Sequence, residues 1–142
     1  TAGVQANLVL SCNTVNTNYI ALYAPFTDGN FYADYGAIGS GGRISAAEPA
    51  GWDDAWHILD WHRRAATGTG EVLVDGTVAV TGSYSDNFDN TQTYAFRLMG
   101  LSGVQQMLGG MAEAFGYKTQ LSSADRSTVR KALGSKYGIT VV

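Results

Sequence analysis

Apolar side chains in this chain recur mostly at alternate positions, the period of a strand with one buried face. Residues 7–12 predict a first strand, and 18–24 its hairpin partner across 13–17. Pro25 and the Asp28-Gly29 turn precede 31–35, where Phe31, Ala33 and Tyr35 share a face. A glycine-rich loop over 36–42 leads to a short strand at 43–46, then a loop over 49–54. The run 56–63 carries a strong strand signal. Trp56, Ile58, Asp60 and His62 fall on one face, and His57, Leu59, Trp61 and Arg63 on the other. Large residues on both faces predict a central strand with packed neighbours above and below, and place Trp56 and Trp61 in the core. Residues 71–80 form two β-rich runs around Asp75-Gly76, a type I′ hairpin signature. Further strands are expected at 94–99 and 111–117.

The period changes near the C-terminal end. Ser122 and Asp125 have capping-box spacing, with Leu121 ahead of the cap, and predict a helix from about Ser123 to Tyr137. Val129, Ala132, Leu133, Lys136 and Tyr137 form its apolar stripe. Arg126, Arg130 and Lys131 are expected to face outward, and Gly138 to be the C′ residue. A run of strands closed by one helix, with no repeat or linker, reads as one domain over 1–142.

Composition narrows the function classes. With 142 residues and 45% hydrophobic content the chain can bury a core without disulfide or metal staples. Eighteen glycines against two prolines suit short strands and tight turns. The net charge of -3 is scattered, and only Arg63-Arg64 and Arg130-Lys131 are adjacent basic pairs. A phosphate backbone needs a contiguous positive face, so nucleic acid is not an expected partner. No apolar run reaches the ~18 residues that cross a bilayer, and residues 1–10 carry no signal-peptide pattern. Cys12 lies in an apolar stretch and reads as a buried, inert thiol, since nothing pairs it with a histidine.

The order of motifs resembles a known family. Trp56-His57-Ile58-Leu59 followed by Gly70-Glu71-Val72-Leu73-Val74-Asp75-Gly76 is similar to the laminin G-like pattern of a tryptophan-histidine strand and a strand ending in an Asp-Gly turn. Phe96-Arg97-Leu98-Met99-Gly100 resembles the strand after it. Met111 to Tyr117, Leu121 to Arg126 and Lys136 to Ile139 resemble the closing strand, helix and terminal tyrosine-glycine of bacterial and bacteriophage members. Asn30 to Gly36 with Gly42 to Ser45 is similar to members in phage tail and virion proteins. The resemblance implies an all-β fold, an antiparallel concanavalin A-like jelly-roll sandwich with one short C-terminal helix. Such members begin with one or two more strands than residues 1–6 can supply. Either the chain is the C-terminal part of a larger protein or a partner completes the sheet.

Chemistry can be weighed against that expectation. Retaining glycosidases need two carboxylates about 5–5.5 Å apart, and hydrolases of this fold carry them as a Glu-x-Asp-x-(x)-Glu run. Glu48, Glu71 and Glu113 stand isolated, and Glu71 and Asp75 share a face only up to a turn. No Gly-x-Ser-x-Gly elbow or zinc spacing is present. His57 and His62 read as packed or surface strand residues, so no enzyme is expected. Several relatives bind calcium beside the ligand. Here 85–91 offers Asp86, Asn87, Asp89 and Asn90, so Asp86 and Asp89 are candidate calcium ligands, or the loop is a solvated turn. Sugar sites stack apolar faces on aromatics and bond hydroxyls with Asn or Asp. Trp52 with Asp53, and Tyr84 beside Asp86, Asn87, Asp89 and Asn90, are the candidate ligand-binding residues. Tyr19, Tyr23, Tyr32 and Tyr35 form either a packed face or a tyrosine-lined groove. The expectation is a non-enzymatic module on a bacteriophage virion or tail that recognises host surface glycan. The alternatives are a structural assembly or decoration protein of the virion without a sugar site, and a bacterial extracellular adhesin domain. Low surface charge and the uncharged segment 100–110 point to a homo-oligomer or part of a larger assembly.

Overall fold

The computed structural model describes residues 8–12, 19–64, 66–85, 96–101, 105–107, 109–117 and 119–142. Its strands are β1 (Leu8–Cys12), β2 (Tyr19–Tyr23), β3 (Asn30–Gly36), β4 (Arg43–Ala47), β5 (Leu59–Arg64), β6 (Thr69–Val74), β7 (Thr77–Ser83), β8 (Phe96–Leu98), β9 (Gly100–Leu101) and β10 (Gln105–Gln106). One helix, α1 (Ser123–Tyr137), comes after them. A five-stranded sheet has the order β4-β3-β2-β1-β8, a three-stranded sheet the order β5-β6-β7, and β9 pairs with β10. Every pairing is antiparallel. The expected all-β class with one C-terminal helix is therefore present.

The two larger sheets pack face to face through alternate side chains. Leu22, Phe31, Ala33 and Ile44 from the five-stranded sheet meet Val72, Val74, Val80 and Tyr84, and these residues form the main core. The Tyr84 ring crosses to the opposite sheet and donates its hydroxyl to the Ala33 carbonyl at 3.0 Å. That ring lies directly over Gly70, where any Cβ would collide with it. β7 runs beside β4, so the smaller sheet covers that end of the larger, the core extends to Val9 on β1, and among the described residues the β8 end overhangs.

On its outer face the five-stranded sheet carries a second cluster. Tyr19, Ala21 and Tyr23 are buried there with Phe26, Tyr32 and Ile38 against them. The Tyr19 and Tyr23 hydroxyls meet at 2.6 Å, and burial, with that hydrogen bond, pushes the Tyr23 hydroxyl pKa up. Tyr35 lies on the other face, near Tyr84. The tyrosines are packed on two faces, and they do not line one groove. Between them, Asp34 is fully buried and takes a two-pronged bond from Arg43, at 2.6 and 2.7 Å. Arg43 also lies over the Tyr32 ring. Burial raises the Asp34 pKa and outweighs the opposing pull of Arg43.

The Asp75-Gly76 hairpin forms as expected, with both residues at positive φ (51° and 93°). α1 matches its expected bounds. Ser122 accepts from the Asp125 amide at the N-cap, and Gly138 closes the helix in the left-handed region.

Three expectations are corrected. Residues 111–117 alternate as a strand would, but one side offers only Ala112, Ala114 and Gly116, and the segment forms no regular element. A strand needs a partner edge, and this segment pairs with none among the described residues, although Met111 packs against the main core. Trp56 is 61% exposed and precedes β5, which begins at Leu59. Arg126 and Arg130 face inward: Arg130 is buried, and both reach Asp60 on β5. Their long apolar stems can cover sheet surface while their charges meet a carboxylate, which a stripe of apolar residues does not anticipate. Trp61 does pack against the main core, from the edge strand of its sheet.

Candidate binding surface

The loop joining β4 to β5 is fixed at both ends. At its start the Glu48 amide donates to the Gly29 carbonyl, and Trp52 N–H closes a turn on Pro49 with Gly51 at φ 79°. That turn folds Trp52 inward, where its ring meets Phe31 edge-on at 4.9 Å. His57 stacks on the other side of Trp52, 4.6 Å between centroids and 17° between planes.

His57 is held by its ring nitrogens as well. Nδ1 lies 2.6 Å from Asp75 Oδ2, and Nε2 lies 3.1 Å from the Trp52 carbonyl oxygen. Both partners are acceptors, a carboxylate oxygen and a backbone carbonyl. The other Asp75 oxygen accepts from the Ile58 amide at 2.8 Å, and the Asp75 and Ile58 backbones bond as well. The Trp-His and Asp-Gly motifs thus meet in space: the hairpin turn supplies the carboxylate that locks the loop.

Between these anchors the chain turns through Asp54, at φ 61°, and this carries Trp56 outward. The far edge of its indole rests over Gly110, where a Cβ would come within 2.9 Å of Cη2. Glycine at that point lets the ring lie close to the 109–117 segment while most of its surface stays in water. That segment continues with Phe115 (60% exposed) and Tyr117 (53% exposed). It is tied to α1 by an ion pair between Glu113 and Lys136. Glu48, Asp53 and Asp54 supply carboxylates along the same loop. The pKa of Glu48 is raised, first by desolvation and then by the charge and hydrogen bond of Asp53.

Of the residues expected to bind ligand, Trp52 is packed between Phe31 and His57, and Tyr84 is core with its hydroxyl occupied. Tyr84 is buried, and His57 covers one face of the Trp52 ring. Asp53 is exposed beside Glu48. Asp86, Asn87, Asp89 and Asn90 lie outside the described residues. Among the described residues no three His, Cys, Asp or Glu side chains are grouped to hold a metal ion. No helix there is long and apolar enough to cross a membrane. Sequence reasoning missed Trp56. Two tryptophans flank the Asp53-Asp54 turn, and only one can fold back onto Phe31. The alternation that put Trp56 inside extends only as far as the strand, which starts later.

No family model matches the chain, and no characterised protein or solved structure is detectably similar to it.

Proposed function

We propose that this chain is a non-enzymatic binding module that engages host surface glycan through the Trp56 loop, on a bacteriophage virion or tail or, alternatively, as a bacterial extracellular adhesin domain. The observation that carries the reading is a tryptophan 61% exposed on a loop locked from both sides. A large aromatic held outward on a preorganised loop loses little entropy on binding. Indole stacks on the apolar face of a pyranose, and carboxylates such as Asp53 and Asp54 accept from its hydroxyls. The jelly-roll connectivity of concanavalin A-like domains, and calcium held by Asp86 and Asp89, belong to the same proposal.

The test is a glycan array followed by titration of the best hit, wild type against Trp56→Ala. Affinity should fall at least about tenfold in the variant, in line with loss of a central aromatic anchor, while the melt stays in place. Equal affinity of the two proteins for the same glycan would sink the reading.

A second reading, a structural assembly or decoration unit of the virion, is favoured by a different observation. Phe96 (63% exposed) and Leu98 (44% exposed) lie on β8, which among the described residues is the edge strand at the overhanging end of the five-stranded sheet. Sedimentation separates the two, because only the assembly reading requires self-association or a protein partner through that edge.

A further inference from the structure

α1 is held to the outer face of the three-stranded sheet by one polar cluster. Arg126 directs Nε and Nη2 at Asp60 Oδ2, each at 3.1 Å, and Arg130 Nη1 bonds the same oxygen. The remaining Arg126 nitrogen, Nη1, lies 2.7 Å from His62 Nε2. A guanidinium can only donate, so His62 Nε2 must accept and its proton must sit on Nδ1. Nδ1 is buried and has no partner among the described residues. The contact therefore exists only while His62 is neutral. A proton on Nε2 would set two donors against each other and add a third positive charge beside two arginines.

From this geometry we propose that His62 is a proton-sensitive latch: neutral, it helps hold α1 on the sheet through Arg126, and protonated, it weakens that hold. The inference does not depend on the glycan reading.

The charges around the latch agree. His62 faces Asp60 and Arg64 on its own strand, Glu71 across the β5–β6 pair, and Arg126 and Arg130 on α1. Glu71 Oε2, 3.6 Å from Nε2, and Asp60 favour the imidazolium; burial and the two positive neighbours Arg126 and Arg64 oppose it. The opposing group wins and the His62 pKa is lowered, with burial as the largest cause. A histidine depressed in the folded state contributes stability that is complete above its unfolded pKa, about 6.5. That contribution is lost as the pH falls below this value. The C-terminal residues beyond α1 are coupled to the helix. Among them, the Val142 amide bonds the carbonyl of Asp75, the residue whose side chain locks the Trp56 loop.

Amide hydrogen exchange on the intact chain at pH 7.5, 6.5 and 5.5, corrected for intrinsic rates, tests this. In the wild type the opening of α1 amides, relative to those of β6, should rise with acidification. The rise is bounded by about tenfold per pH unit for uptake of one proton. In His62→Gln, whose amide oxygen can accept from Arg126 but does not titrate, the opening should be flat. A wild-type helix whose opening does not change with pH would overturn the latch, as would a parallel rise in His62→Gln. If that variant does not fold, Arg126→Met decides: it should be open at all three values with no pH trend, and a surviving trend rejects His62 as the sensor.

Discussion

His57 Nδ1 sits 2.6 Å from Asp75 Oδ2, so a residue ahead of one strand is locked by a residue in the turn of another hairpin. This contact converts two separate sequence motifs into a single clamp. Asp75 also serves the Ile58 amide, so its carboxylate supports the loop through side chain and backbone together.

Asp75→Asn should show what that charge contributes. Asparagine tolerates the left-handed turn position and can still accept from Ile58, but it weakens the bond to His57. The expected loss is about 1–3 kcal/mol, the range for a partly buried hydrogen bond to a charged group. Urea denaturation measures it. A midpoint unchanged from wild type would show that Trp52, through its ring and its carbonyl, holds His57 without the Asp75 charge.

Two tryptophans should respond in opposite ways. Trp61 packs against the main core, so Trp61→Ala should cost about 3 kcal/mol or more. Trp56 is mostly in water, and Trp56→Ala should stay within about 0.5 kcal/mol. Thermal denaturation of both variants checks the pair. A large loss at Trp56 would mean that its edge contact with Gly110 is structurally needed.

The sequence made the hairpin at Asp75-Gly76, the helix and its Ser122 cap, and the Phe31–Tyr35 alternation legible, because each rests on a local rule of turn, cap or period. It did not reveal which of Trp52 and Trp56 would fold inward. That depends on the distant partners Phe31 and Asp75, which no local pattern encodes. The same limit applies to α1, where Arg126 and Arg130 look like solvent residues until Asp60 is placed beneath them. Residues 111–117 show the converse: a correct period does not make a strand without an edge to pair with.

Asp34 gives the fold a pH response whose sign follows from its burial. Its folded pKa is raised by burial, so the folded state holds the proton more tightly than the unfolded chain does. Stability contributed by the protonated form is then lost as pH rises from about 4, the ordinary aspartate range, through the folded pKa. Relative to Asp34→Asn, the wild type should therefore lose stability over that rise. Denaturation midpoints of both proteins across pH 4–7 decide it, and a gain by the wild type would mean that Arg43 outweighs burial.

Calcium is tested by chelation. With an ion on Asp86 and Asp89, a chelator should lower the melting temperature of the wild type, and Asp89→Ala should remove that response. Superimposable melts with and without chelator would return 85–91 to an ordinary solvated turn.

The last prediction concerns the overhanging end of the larger sheet. Five strands face three, and β7 beside β4 fixes which end is covered. The side chains of β8 that share the core-facing side with Leu10 are Phe96 and Leu98, through the pairings Cys12 with Phe96 and Leu10 with Leu98. In a sandwich of equal sheets these positions would be buried. Here they are 63% and 44% exposed, on a strand that is an edge among the described residues and whose backbone could then pair with another chain. Both features favour association, one through apolar burial and the other through hydrogen bonds. Sedimentation at micromolar concentration should show a dimer or larger species for the wild type. Phe96→Asp puts a charge on that edge and should shift the distribution to monomer without moving the melt. A wild type that stays monomeric across the concentration range would remove the assembly reading and leave the Trp56 surface as the site of function.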